Sequence, residues 1–287
     1  MTKKEIEERK FRPARQEADD ARKAIETPQT SSAAYKLAFQ DNEFLLREDL
    51  RPVRFQLELL KPQLLMDEAR IESTFVFYGS ARIPEPDQVQ ARIDAATTPE
   101  QKKIAENLGN KARYYDEARK LARIAAQYPV NAAGCRHFVV CSGGGPSIME
   151  AANRGAVDVG QTTIGMNIVL PHEQAPNLFV TPELSFQFHY FALRKMHFLL
   201  RARALAVFPG GFGTFDEMFE LLTLIQTGKM KPIPILLFGK DFWTRVIDWE
   251  AFAEEGTISK ADLDLFRWCE TADEAWAHIR AFYELGD

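Results

Sequence analysis

The stretch 209–217, PGGFGTFDE, carries the residue types best suited to chemistry in this chain. It follows an apolar run and leads into a helical pattern, which predicts a strand, a tight turn and a helix start. Unpaired backbone N–H groups and the positive end of the helix dipole meet at such a start, and both favour a bound phosphate. Gly210, Gly211 and Gly213 would let the backbone approach an anion without a Cβ in the way. The carboxylate of Glu217 lies one turn further on, where it would address a different part of the ligand.

Glycine turns also follow two other predicted strands, 74–78 and 137–141. Their residues are Gly79, Ser80, Gly143, Gly144 and Gly145. A single glycine turn can serve only to reverse the chain direction, but three turns at the carboxyl ends of parallel strands would meet at one place. Neither the P-loop pattern nor the dinucleotide pattern G-x-G-x-x-G fits these turns, so a mononucleotide phosphate is favoured over a dinucleotide cofactor.

The order of elements that must position these turns predicts the fold class. Short apolar runs alternate with helical patterns from residue 73 onward, which indicates an α/β, Rossmann-like, doubly wound and mostly parallel sheet with helices on both faces. The predicted strands are 74–78, 137–141, 162–168, 204–208 and 233–238. The predicted helices are 115–127, 147–159, 186–203, 214–227 and 242–252, and two more that begin at Lys260 and Thr271.

The first part of the chain has a different pattern. We expect an N-terminal helical extension over residues 1–72, charged at its start, with Pro52 and Pro62 dividing it into short helices. Residues 73–287 would form the Rossmann-like nucleotide-binding catalytic domain. The apolar residues of the extension would be covered by the main domain or by another subunit.

Composition limits the partners. The chain has 287 residues and a formal net charge of -5, which gives no reason to expect nucleic acid as a partner. No apolar run approaches a membrane span and the start does not resemble a secretory signal, so a cytoplasmic location without a membrane partner is expected. The three cysteines do not suggest a disulfide framework, and the five histidines are scattered. We expect neither a metal nor a cofactor.

The motifs together resemble the LOG (Lonely guy) family of phosphoribohydrolases, a family long labelled lysine decarboxylases. The resemblance covers about residues 73–240 and is carried by Gly79-Ser80, by Ser142-Gly143-Gly144-Gly145, by Arg194-Lys195 and by the stretch 209–217. It implies hydrolysis of the N-glycosidic bond of a purine nucleoside 5′-monophosphate to the free base and ribose 5-phosphate. The substrate would be AMP or an N6-modified AMP, that is, a cytokinin riboside 5′-monophosphate. The enzyme would then be of the AMP nucleosidase type. The extension and segment 85–113 are additions to the compact members of the family.

Site roles follow from this resemblance. Glu217 would stabilise the ribosyl cation, bind ribose hydroxyls or orient the water, and Arg194 would be the catalytic cation. Lys195 would also bind substrate, but it points about 100° away from Arg194 on a helix, so only one of the two would face the ligand fully. The 5′-phosphate would be bound by Gly211, Gly213 and Thr214, and the remaining turn residues would complete a nucleotide-binding cradle. The helical patterns suggest a homodimer or a higher homo-oligomer.

Other interpretations stay open from the sequence. Thr214-x-x-Glu217 is also a capping box, in which the carboxylate binds the backbone N–H of Thr214. The glycine turns also resemble molybdenum-cofactor carrier proteins, so a non-catalytic nucleotide or cofactor carrier is the alternative function. A lysine decarboxylase would need pyridoxal phosphate on a Schiff-base lysine, for which the sequence offers no other signature.

Overall fold

A computed structural model of the chain describes residues 11–171 and 175–286. The chain divides into two compact units, Met1–Leu57 and Glu58–Asp287. The first ten residues of the predicted extension, as well as His172, lie outside the described residues. The division of function between residues 1–72 and 73–287 stays a prediction.

The first unit contains short helices. These are α1 (Ala14–Ala21), α2 (Asn42–Leu45) and the start of α3 (Arg51–Glu68). The prediction that Pro52 and Pro62 divide this region into short helices is wrong, because α3 runs through both. Pro52 lies in the first turn, where its missing N–H is not needed. Pro62 lies inside the helix and is buried.

A seven-stranded, all-parallel sheet forms the centre of the second unit, in the order β4-β3-β2-β1-β5-β6-β7. The strands are β1 (Thr74–Tyr78), β2 (Val139–Ser142), β3 (Thr163–Ile168), β4 (Ser185–Phe188), β5 (Ala202–Val207), β6 (Ile235–Phe238) and β7 (Arg267–Cys269). The chain builds outward from β1 to β4 and then returns to the other side of β1 with β5. The switch point between β1 and β5 opens a crevice at the carboxyl ends of these strands, where α/β sheets bind ligands.

Helices connect and cover the strands. They are α4 (Val89–Asp94), α5 (Pro99–Gly109), α6 (Arg113–Ala126), α7 (Ile148–Val157), α8 (Phe191–Leu200), α9 (Phe212–Gln226), α10 (Lys240–Val246), α11 (Trp249–Glu254) and α12 (Ala272–Tyr283). Segment 85–113, which the family resemblance implies is an addition, contains α4 and α5.

Two apolar layers sandwich the sheet because strand side chains alternate between its faces. In β1, Val76 and Tyr78 join the layer that packs on α8 and α9, whereas Phe75 and Phe77 join the layer on α6 and α7. All of β1 is buried, as expected of a central parallel strand. The predicted fold class, a doubly wound Rossmann-like α/β sheet, is confirmed.

Three of the predicted helices differ in kind from the elements in the structure. The predicted helix 186–203 is wrong at its start, since Ser185–Phe188 is strand β4 and the helix begins at Phe191. Burial alternates along β4, with Phe186 and Phe188 inward, which is the period of a strand. The predicted helix 242–252 is two helices, α10 and α11, because the side chain of Asp248 caps a new helix through Ala251 N–H. The segment from Lys260 is a 3₁₀-helix, and the three-residue strand β7 follows it.

Candidate active site

The three glycine turns meet at the carboxyl ends of β2, β1 and β5, which are neighbours in the sheet. Ser80 joins them directly. Its N–H donates to the carbonyl of Pro209 in the turn after β5, at 3.0 Å. Its own carbonyl accepts from the N–H of Ile148, at the start of α7 after the β2 turn, at 3.4 Å. The structure therefore brings the three predicted turns to one place.

The turn after β5 leads into α9 with Gly211 at the N-cap position. A Cβ on Gly210 would lie 2.1 Å from Oγ1 of Thr214, so this turn requires glycine at that position. A Cβ on Gly211 or Gly213 would meet no atom within 4 Å. Glycine at these two positions is therefore not explained by protein packing. The open space lies over the first turn of α9, where backbone N–H groups lack helical partners and favour an anion.

The turn after β2 is held in a conformation that favours glycine. Gly144 has φ of +74°, and a Cβ there would lie 2.1 Å from Oδ1 of Asn167. The side-chain amide of Asn177 donates to the carbonyls of Gly144 and Gly145, at 3.1 and 3.0 Å. These bonds fix the direction of the turn's carbonyls, so its shape is set before any ligand binds.

A second amide supports the same turn from inside the protein. Asn153 is fully buried, and its Oδ1 accepts from the hydroxyl of Ser142 at 2.7 Å and from Asn177 at 3.0 Å. Its amide nitrogen donates to the hydroxyl of Thr163. The Ser142 oxygen in turn accepts from the N–H of Gly144 at 3.1 Å. Each polar atom in this chain of hydrogen bonds is satisfied, which makes a buried polar network rigid.

Arg194 on α8 lies beside the turn after β2 and is only 8% exposed. Its Nε donates to the carbonyl of Met166 in β3 at 2.6 Å, and its Nη1 donates to Oε1 of Glu217 at 2.7 Å. The guanidinium also lies 4.9 Å from the ring centroid of Phe198. A Cβ on Gly143 would lie 2.6 Å from Nη2, so the absence of a side chain at Gly143 makes room for Arg194.

Glu217 is the partner of Arg194, and its side chain is 13% exposed. Burial raises the pKa of the Glu217 carboxyl to about 7, although the charge and the hydrogen bond of Arg194 act to lower it. The carboxyl is thus balanced between its two protonation states near neutral pH. The helix starts at Phe212 with Gly211 as its N-cap residue, so Thr214 lies inside the helix and the capping box with Glu217 does not form. Oε1 of Glu217 accepts from Arg194.

Lys195 points to a different surface from Arg194. Its Nζ lies 2.9 Å from Asp216 and 3.2 Å from Glu220 on α9. Burial acts to lower the pKa of the Lys195 ammonium, but the hydrogen bonds to these two carboxylates outweigh burial and raise that pKa. Its role in binding substrate stays a prediction, and the geometry gives it a pairing role between α8 and α9.

Other candidate groups have structural environments. Cys141 is buried in β2, where burial raises the pKa of its thiol. Phe186 and Phe188 lie in the core, whereas Phe191 is half exposed. Across residues 11–171 and 175–286, no group of three or more His, Cys, Asp or Glu side chains could hold a metal ion. Within the same ranges, no helix is long and apolar enough to cross a membrane.

Sequence reasoning missed the residues that surround the β2 turn and support Arg194. Asn153, Asn167 and Asn177 and the carbonyl of Met166 carry no local pattern, because each acts on a residue far along the chain. Asn177, for instance, binds the carbonyl of Gly144 from 33 positions away. An asparagine is an ordinary residue in a strand, a helix or a loop, so no signal in the sequence identifies these three side chains.

The chain is similar to known proteins over the part that contains this site. The family model described as "Possible lysine decarboxylase" matches residues 149–279, which include Arg194 and all of α9. Cytokinin riboside 5′-monophosphate phosphoribohydrolase LOG2 of Arabidopsis thaliana is 28% identical over 154 residues, covering 53% of this chain and 68% of the relative. These matches confirm the resemblance to the LOG family.

Two further proteins are similar to parts of this chain. The pyrimidine/purine nucleotide 5′-monophosphate nucleosidase of Escherichia coli is 30% identical over 125 residues, which is 38% of this chain and 26% of the relative. The X-ray structure of TM1055 covers 73% of this chain and 99% of its own at 17% identity, with a TM-score of 0.45. The named relatives are thus phosphoribohydrolases or nucleosidases of nucleoside 5′-monophosphates.

Proposed function

We propose that this protein is an enzyme that hydrolyses the N-glycosidic bond of a purine nucleoside 5′-monophosphate. AMP or an N6-modified AMP would be the substrate, and the products would be the free base and ribose 5-phosphate. The observation that carries the proposal is the buried Arg194–Glu217 pair at 2.7 Å, beside three glycine turns that meet at the switch point of the sheet. The names of the relatives support the same class of reaction.

The phosphate would bind over the first turn of α9. The open space at Gly211 and Gly213 matches the need of a phosphate to approach the backbone closely. Thr214 is 6% exposed and lies in the same turn, so its hydroxyl and N–H would complete the phosphate site. A phosphate at this position is one helical turn from Glu217, which leaves room for a ribose between the two.

Glu217 would act on the ribose. Breaking the glycosidic bond builds positive charge on the sugar, and an ionised carboxylate in a buried site stabilises that charge strongly. A carboxyl with a pKa of about 7 can also accept a proton from the attacking water at neutral pH. Arg194 holds this carboxyl in place and favours its ionised form.

Arg194 would have a second task. Its Nε and Nη1 are engaged by Met166 and Glu217, while Nη2 faces the turn at Gly143. A guanidinium nitrogen aimed at this turn would bind an oxygen or nitrogen of the nucleotide that gains negative charge as the base leaves.

A decarboxylase is disfavoured by the surroundings of Lys195. A lysine that forms a Schiff base must lose its proton to react. Lys195 is paired with two carboxylates that raise the pKa of its ammonium group. The pairing therefore favours the unreactive, protonated form.

The test is incubation of the purified protein with AMP, with an N6-isopentenyl AMP and with adenosine, followed by chromatography. The proposal predicts free base and ribose 5-phosphate from the two monophosphates and none from adenosine, which lacks the phosphate. Tight binding of AMP without any release of base would refute the enzyme and favour the carrier. Release of base from adenosine at the same rate would refute the role of the α9 start as a phosphate site.

A further inference from the structure

The connection between β4 and α8 consists of two residues, His189 and Tyr190. Glu58 on α3 binds both of them. One carboxylate oxygen accepts from the N–H of His189 at 2.9 Å, and the other accepts from the N–H of Tyr190 at 3.2 Å. A single side chain from a distant helix thus fixes the whole connection.

The position of Arg194 depends on this connection. Tyr190 is the N-cap residue of α8, and its own side chain makes no capping hydrogen bond. The carbonyl of Tyr190 accepts from the backbone N–H of Arg194 at 3.1 Å. The backbone of Arg194 is therefore one hydrogen bond away from a residue that Glu58 holds. A carboxylate beside the start of α8 is also favourable to the helix dipole.

The backbone of Glu58 holds α8 at a second point. Its carbonyl lies 3.1 Å from Nε2 of His197, which is one turn beyond Arg194 and 1% exposed. A carbonyl oxygen only accepts, so Nε2 of His197 carries the proton of this hydrogen bond. Nδ1 of His197 has no hydrogen-bond partner in the described part of the chain. The ring of His197 also packs on Phe188, with centroids 5.4 Å apart.

The far end of α8 is held by the same helix. Arg201, the C-cap residue of α8, donates to the carboxylate of Asp67 at 2.5 Å and to the carbonyl of Gln63 at 3.3 Å. It also donates to the carbonyl of Ile71, just beyond α3. Helix α3 and the residue just beyond it therefore hydrogen-bond to α8 near both of its ends. Arg194 lies between these two sets of hydrogen bonds.

We infer that Glu58 is a positioning residue, which sets the start of α8 so that the guanidinium of Arg194 meets Glu217. This inference rests on the proposed function for its effect on turnover. Glu58 lies outside residues 149–279, the part that the family model matches, so a segment beyond that match acts on catalysis through α8. A purely stabilising Glu58 would change the melting temperature and leave the Arg194–Glu217 geometry intact.

The experiment compares Glu58→Gln and Glu58→Ala with Glu68→Gln, the same chemical change at an exposed glutamate on α3. A glutamine keeps one acceptor oxygen but presents an NH₂ group to the second N–H, so it loses one of the two bonds. Hydrogen exchange of the 189–200 segment should be at least about tenfold faster in Glu58→Ala and unchanged in Glu68→Gln. Glu58→Gln, the milder change, keeps the test available if the alanine variant does not fold.

Turnover of AMP gives the second readout. At a temperature well below the melting point, kcat should fall at least about tenfold in Glu58→Ala, because a misplacement of about 1 Å is enough for such a loss. KM should stay within about twofold, since the phosphate site on α9 is not touched. The pKa of Glu217, followed by NMR on protein with ¹³C-labelled glutamate, should rise because Arg194 no longer lowers it as strongly.

The outcomes separate the two proposals. Unchanged exchange, an unchanged kcat, or an unchanged pKa of Glu217 in Glu58→Ala would overturn the positioning role. A wild-type protein that releases no base would refute the proposed function alone. In that case exchange and the pKa of Glu217 still decide whether Glu58 positions Arg194.

Discussion

Replacing Glu217 by glutamine should make the protein more stable at high pH and leave its stability unchanged at low pH. The carboxyl is buried, and its pKa is raised to about 7 from an ordinary value of 4.5. A raised pKa means that the folded state prefers the protonated form. The stability from this group is fully present below pH 4.5, decreases as pH rises, and is lost above about pH 7.

The size of the effect follows from the shift in pKa. One pKa unit corresponds to about 1.4 kcal/mol, so the rise from 4.5 to about 7 is worth about 3 kcal/mol in the free energy of unfolding. With a side chain only 13% exposed, solvent screens little of this energy. The amide oxygen of glutamine still accepts from Nη1 of Arg194, so the variant keeps the hydrogen bond and loses only the titration.

The assay is urea unfolding followed by fluorescence of the four tryptophans, at pH values from 4.5 to 8.5. Burial lowers the pKa of His197 and of His278, so these residues titrate in the same range with the opposite sign. The difference between variant and wild type cancels them, because both proteins keep both histidines. The free energy of unfolding of Glu217→Gln, relative to that of wild type, should rise by about 3 kcal/mol as the pH is raised from 4.5 to 8.

Glu106→Gln, the same change at an exposed glutamate of α5, is the matched control and should give a flat difference across pH. A flat difference for Glu217→Gln as well would show that Arg194 keeps Glu217 ionised throughout. A variant that loses stability relative to wild type as pH rises would refute the reasoning about burial.

The remaining predictions concern the turns and the pH profile. Gly213→Ala should stabilise the protein by about 0.5–1 kcal/mol in thermal unfolding, because alanine favours the helix, and Gly211→Ala should leave the melting temperature within a few degrees. Both should raise KM for AMP at least about tenfold if phosphate occupies the open space, and an unchanged KM would place the phosphate elsewhere. Gly144→Ala should cost more stability in urea unfolding than Gly160→Ala, since both positions have positive φ but only the first places a Cβ against Asn167; equal costs would contradict the steric argument. The value of kcat/KM for AMP should fall about tenfold per pH unit below about pH 7, as Glu217 becomes protonated, and a profile that is flat down to pH 5 would exclude its carboxylate form as the catalyst.

Much of the fold was readable in the sequence because its signals are local. The five-residue apolar run of β1, the glycine turns and the helix start after β5 each depend on neighbouring residues. The separation of Arg194 from Lys195 also followed from helix geometry alone, and the structure places them against different partners. These features needed no knowledge of distant contacts.

The rest depends on contacts that local patterns do not show. Strand β4 directly precedes helix α8 in the sequence. Its two buried phenylalanines continue the apolar pattern of that helix, so the sequence predicts a single helix over both elements. Glu58 binds His189 from 131 positions away, and a glutamate on a charged helix looks like any solvated side chain. The pKa of Glu217 is likewise a consequence of burial by the assembled sheet and helices, which no motif encodes.

The most direct test of the central claim is the rate of adenine release from AMP by wild type, Glu217→Gln and Arg194→Ala, with Glu106→Gln as the control. A pair that acts on the transition state should lower kcat at least about 100-fold when either member is changed, while each variant stays folded by circular dichroism. Glu106→Gln should turn over AMP at the wild-type rate. Near-normal adenine release by a folded Glu217→Gln or Arg194→Ala protein would contradict the account.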